Sequence, residues 1–135
     1  MHTAHAIETL AGVWKATGGA CGLSPTELRP SADWLLRRME DWKDDGDRVQ
    51  CGIPHAAGTP EDVELVVGHL TRAWALMAVL AAGYDRTDEP VTVAARDLRA
   101  RFQVRGGHWV WKERAPIWAT FEALNALSRC EEPAT

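Results

Sequence analysis

At 135 residues, with 46% apolar and 25% charged side chains, the chain is long enough to bury a core and too apolar for intrinsic disorder, so one folded domain is expected. A formal net charge of −4, with Lys and Arg scattered among the acids, provides no basic face for a phosphate backbone and argues against a nucleic-acid partner. The longest apolar stretch, Ala73 to Gly83, falls short of the roughly 20 residues that span a bilayer, which argues against a membrane span. The opening "MHTAHAIETL" lacks the basic start and continuous apolar run of a signal peptide. Three cysteines (Cys21, Cys51, Cys130) without repeated spacing do not make a disulfide framework and suit a reducing compartment, so a cytoplasmic location is expected.

Taken in chain order, the predicted elements are helical. Ile7, Leu10, Ala11 and Trp14 recur at helical spacing and Gly18-Gly19 ends that segment, predicting a helix over 3–17. Ser24-Pro25-Thr26-Glu27 has the serine, proline and third-position glutamate of a helix start; with Pro30 close behind, only a short turn is expected there. Leu35, Met39 and Trp42 share a face of a helix over 31–44 that the acidic "DDGD" closes, and "RVQCGIPHAAG" reads as loop. Thr59-Pro60-Glu61-Asp62 supplies a cap, a first-turn proline and acids for a helix over 60–82, which Gly83 terminates. Its stripe of Val63, Val67, Leu70, Trp74, Met77 and Ala81, broadened by Leu65, Leu76 and Val79, predicts a helix contacted on more than one side and central to the core.

Val91, Ala94, Ala95, Leu98 and Phe102 give the buried stripe of a helix over 90–103. After an aromatic loop, Pro116 opens a helix over 116–129 with Ile117, Phe121, Leu124 and Leu127 facing inward, and residues 131–135 form a frayed tail. No segment alternates at period two between hairpin turns, so no sheet is assigned and the fold class is all-α, about five helices in a single domain.

The loop "RGGHWVWKER" before the last helix carries the most distinctive residues: Gln103, Gly107 and Trp109 stand in the spacing Q-x3-G-x-W. That spacing resembles the glutamine-tryptophan motif in the α-hairpin repeats of terpene cyclases and prenyltransferases, and the likeness covers residues 89–128. "SADWLLRRMEDWKDDGD", with Trp34 and Leu35 at the expected place but Met39 where glutamine belongs, resembles a degenerate copy. The resemblance implies stacked α-hairpins, a partial α/α toroid-like bundle. Within such a unit, a tryptophan combines a large apolar area with one N–H donor, so Trp109 and Trp111 are expected to seal the end of a hairpin.

The resemblance would also imply isoprenoid chemistry, but its catalytic signatures are missing. The D-x-D-D acid of protonation-type cyclases is absent, and the acids of Asp41-Trp42-Lys43-Asp44-Asp45 have altered spacing. Glu40-Asp41-x-x-Asp44 or Asp44-Asp45-x-Asp47 could imitate a magnesium-diphosphate site, yet helix-end acids are ordinarily solvated. Asp47, Cys51 and His55 recur every four residues and are the weak candidates for a zinc site; Gly52 and Pro54 preclude one continuous helix through them. No G-x-S-x-G, no cysteine beside an evident base and no phosphate-binding glycine loop is present. No cofactor is expected, and the balance leans away from an enzyme.

The favoured expectation is a non-catalytic helical protein-interaction module derived from such repeats, acting by self-association or within a larger assembly. The alternative is a small binder or enzyme for an isoprenoid or other apolar ligand. Its candidate contact residues, for partner or ligand, are Trp34, Trp74, His108, Trp109, Trp111 and Trp118. A zinc-dependent protein using Cys51 and His55 is the third.

Overall fold

A computed structural model describes residues 2–41, 46–53, 63–100, 102–103, 106–109 and 117–131, with side chains described for 2–39, 70–100, 106–109 and 117–131. The fold class is all-α: α1 (His2–Ala16), α2 (Pro25–Asp41), α3 (Thr71–Ala81), α4 (Glu89–Ala100) and α5 (Ile117–Glu131) build the core. Two small antiparallel ribbons accompany them, β1 (Gly46–Ile53) with β2 (Val63–Leu70), and β3 (Phe102–Gln103) with β4 (His108–Trp109). Each has two strands and neither forms a sheet layer.

The central helix is α3, which packs against α1, α2, α4 and α5. Its sequence TRAWALMAVLA is apolar nearly all round, as a helix enclosed by neighbours requires. Ala73, Ala75, Leu76, Met77, Ala78 and Val79 are all buried. Around it, Ala4, Ile7 and Ala11 of α1, Leu28, Ala32, Leu35 and Met39 of α2, and Val91, Ala94, Ala95 and Leu98 of α4 close the core. Gly83, at φ 78°, ends α3 where the sequence places its terminus. Among the described residues no helix is long and apolar enough to cross a membrane.

Three expectations are corrected. The helix expected over 60–82 exists only from Thr71, because residues 63–70 form strand β2. Three valines and a glycine in VELVVGHL weaken its helical preference. Meanwhile β1, expected as loop, supplies register partners: Ile53↔Val63, Cys51↔Leu65 and Val49↔Val67 occupy alternate rungs. The all-α class stands, with a two-stranded ribbon here where no strand was expected. The expected cap at Thr59 and Pro60 lies outside the described residues.

Second, α2 begins six residues before the expected start at 31. Ser24 caps it: its hydroxyl oxygen accepts the Glu27 backbone N–H at 3.3 Å while its own backbone N–H donates to Glu27 Oε2 at 2.9 Å, a capping box with Pro25 in the first helical position. Pro30 lies inside the helix. It removes one N–H near the N-terminal end, and the turn beyond it is held by the burial of Leu28, Ala32 and Leu35. The C-terminal part of the 31–44 expectation, beyond Asp41, lies outside the described residues.

Third, α5 is rotated from the expected orientation. Of the four residues expected inward, Leu127 is buried, whereas Ile117, Phe121 and Leu124 are 88%, 66% and 55% exposed. The inward face is Ala119, Glu122, Ala123 and Ala126. α5 packs against α3, and the face it buries is made mostly of small side chains.

Polar contacts tie the helices at their ends. Arg29 of α2 lies 3.6 Å above the Tyr84 ring and donates to the Gly83 carbonyl at 3.1 Å, and Tyr84 donates its hydroxyl to Asp33. That bond holds the Tyr84 phenol above its ordinary pKa, since ionisation would lose the donor beside a carboxylate. Arg129 of α5 donates to Glu8 of α1, and Arg99 of α4 pairs with Glu131 of α5 at 3.0 Å.

Candidate functional site

Among the described residues, those singled out in the sequence are dispersed over separate elements. Trp109, on β4, is buried at the junction of α4 and α5. Its indole N–H donates to the Leu98 carbonyl at 2.8 Å, in the last turn of α4, and its backbone N–H donates to Thr120 Oγ1 at 3.1 Å, in the first turn of α5. One residue therefore satisfies an orphan carbonyl at one helix end and anchors the start of the next. Gly107, at φ 63°, makes the turn that carries the chain back, and Phe102 pairs with Trp109 and Gln103 with His108 across it. The His108 ring folds back over Gly106, where any added β-carbon would collide with it, and is half-buried there.

Trp34, on α2, is 45% exposed with the Arg38 guanidinium 5.7 Å above its ring. It lines a shallow groove of about 260 Å³ with Thr3, Pro30 and Ser31, and among the described residues Trp74, His108, Trp109 and Trp118 do not join it there. Trp74, half-buried on α3, meets the His5 ring of α1 at 4.9 Å and 57°. Trp118 is half-buried on α5, and Trp111 lies outside the described residues. Another cleft, of about 110 Å³, lies between α2, α3 and α4, lined mainly by Leu36, Met39, Pro90, Val93 and Ala94. Among the described residues, Trp34, Trp74, His108, Trp109 and Trp118 do not line it.

Two of the weak zinc candidates stand apart. Asp47 and Cys51 both lie on β1, four positions apart, and at a rise of roughly 3.3 Å per residue their α-carbons are about 13 Å apart, beyond the reach of two side chains sharing one ion. His55 lies outside the described residues. Among the described residues no three His, Cys, Asp or Glu side chains come together in a metal-holding group. The half-buried Cys130 thiol is pushed above its ordinary pKa by burial, which keeps it protonated and a poor nucleophile.

Two features were not among the sequence candidates. Glu122 points inward from α5 and is 9% exposed; its Oε2 accepts the Leu70 backbone N–H at 2.6 Å. Leu70 ends β2 and precedes the first residue of α3, and its own side chain cannot cap that helix. The carboxylate thus reaches the positive end of α3 from another element. A lone acid within "FEALNAL" was the available signal, but sequence alone gives it no address.

The second feature is the outer face of α5. Ile117, Phe121 and Leu124 expose three large apolar side chains in succession, and Ser128 continues the same face. The other residues between Ile117 and Ser128 that keep some exposure, Trp118, Thr120 and Asn125, are uncharged, and Glu122, the acid of this segment, points inward. At its C-terminal end Arg129 and Glu131 are engaged with Glu8 and Arg99 of the same chain. The signal for this face was present in the sequence as the i, i+4, i+7 stripe, assigned to the wrong side of the helix. Comparison with protein-family models, curated proteins and solved structures gives no match.

Proposed function

We propose that the protein is a non-catalytic helical interaction module, built from α-hairpins of the terpene-cyclase type, that acts by self-association or within a larger assembly through the outer face of α5. The observation that carries this reading is the exposure of Ile117, Phe121 and Leu124 on one uncharged helical stripe. Grouped apolar side chains of this kind mark contact surfaces, while singly scattered ones carry no such meaning. Trp109 supports the hairpin part of the reading: its two hydrogen bonds join the end of one helix to the start of the next, the structural task expected of the glutamine-tryptophan loop.

The alternative of a tryptophan-lined pocket for an isoprenoid gains no support from this arrangement, since Trp109 is enclosed in the core and Trp34 lines a separate groove. The test is the mass in solution by light scattering over a hundredfold dilution, with and without a long-chain prenyl diphosphate, for the native chain and for Phe121→Glu. Association that Phe121→Glu abolishes and the ligand leaves unchanged is the expected result. A monomer that binds the prenyl diphosphate overturns the interaction reading in favour of the pocket.

A further inference from the structure

We infer that the occupant of the α5 outer face is the same face of a second copy of this chain, laid antiparallel so that Phe121 of each copy packs on Leu124 of the other. The inference rests on the interaction reading above and adds the partner and the register. Its starting point is spacing. The exposed positions Ile117, Phe121, Leu124 and Ser128 are separated by four, three and four residues, the repeat by which two helices mesh along a shared seam. Written as a heptad, they fall at d, a, d and a. Antiparallel pairing sets each a position against a partner d position. Phe121 then meets Leu124 and Ser128 meets Ile117, twice each about a two-fold axis.

Charge selects a second copy over a charged partner. In a two-fold contact every charge lies near its own symmetry mate, so a self-complementary strip must be neutral or carry balanced pairs. Here the exposed positions from Ile117 to Ser128 are uncharged, and Arg129 and Glu131 beyond them are neutralised within the chain by Glu8 and Arg99. Nothing on this strip offers complementarity to an acidic or a basic partner.

Area sets the strength. One aromatic and two aliphatic side chains, partly covered already, offer on the order of 400 Å² per copy, about half of what a standard interface buries on each side. The dimer is therefore a weak, exchanging one. The net charge of −4 on each copy opposes it, and added salt screens that repulsion without touching the apolar seam, so association strengthens with ionic strength.

The experiment is light scattering on the full chain from micromolar to millimolar concentration. For the native protein the weight-average mass should rise from 14.9 kDa toward twice that value, and rise further at higher salt. Phe121→Lys alone and Leu124→Glu alone should each stay monomeric at concentrations where the native chain dimerises. A one-to-one mixture of the two should recover the dimer, because the antiparallel register sets the lysine on the glutamate. A mixture of Phe121→Lys with Phe121→Glu should not recover it; recovery there would place Phe121 on Phe121 and overturn the register.

Labelling of Leu124→Cys by a maleimide, read peptide by peptide in dilute monomer whose helical circular dichroism matches the native chain, separates the two levels. A native chain that remains monomeric at millimolar concentration, with Cys at 124 freely labelled, overturns the second copy as occupant and leaves the contact face standing. Protection of that cysteine in the monomer overturns the interaction reading itself.

Discussion

α4 and α5 were legible in the sequence to the same degree, and the structure treats them oppositely. In α4 the stripe of Val91, Ala94, Ala95 and Leu98 is buried, as its spacing predicts. In α5 the stripe of Ile117, Phe121 and Leu124 has the same regularity and larger side chains, yet it faces solvent. The difference is that α5 carries a second stripe, Ala119, Ala123 and Ala126, at the same i, i+4, i+7 spacing. Hydrophobicity ranks the larger stripe first. Packing chose the smaller one: α5 lies against α3, and Glu122, on the inward side, finds a backbone donor at the start of that helix.

Breaking the link between the two helices should produce the largest effect. Trp109→Ala removes a buried indole together with its bond to the Leu98 carbonyl, and should cost about 3–5 kcal/mol in urea unfolding. A loss below about 1 kcal/mol would mean that the ring does not join α4 to α5. Glu122→Ala comes next. It leaves the Leu70 N–H without its carboxylate acceptor and should cost about 1–3 kcal/mol, with amide exchange in the first turn of α3 accelerating more than elsewhere.

The two faces of α5 can be compared directly. Adding bulk to the inner face with Ala123→Leu should destabilise by about 1–3 kcal/mol, whereas deleting the ring on the outer face with Phe121→Ala should change monomer stability by less than about 0.5 kcal/mol. The reverse order would restore the inward stripe expected from the sequence.

The smallest effect concerns the start of α2. Glu27 is held below its ordinary pKa by the Ser24 hydroxyl and backbone N–H, so its folded-state pKa lies under its unfolded value. The stability it contributes is present above the unfolded glutamate range and is lost as pH falls through the folded pKa. Ser24→Ala should flatten this slight acid-side dependence in thermal unfolding while leaving the neutral-pH fold intact.

The ribbon at residues 46–70 shows a different limit on what the sequence reveals. Val63, Val67 and Leu70 recur at spacings of four and three, a helical signature, and the same residues within VELVV also alternate. A strand needs a partner, and the partner here, GDRVQCGI, carries two glycines and three polar or charged residues that read locally as loop. The register that joins them is a property of the pair. Asp47 and Cys51 are parted for the same reason: a four-residue period suits a helix turn, and on a strand it separates them by four rungs.

What the sequence by itself determined were features fixed within a few residues. These are the five helical segments and the all-α class, the capping residues at Ser24 and Glu27, and the stops at Gly18-Gly19 and Gly83. Tertiary structure decided which of the two stripes of α5 is covered, that residues 63–70 are strand, and that Glu122 caps a helix to which it does not belong. Each of these is settled by contact with a segment distant in the chain, where the fit of facing surfaces and the satisfaction of buried polar groups outweigh local propensity.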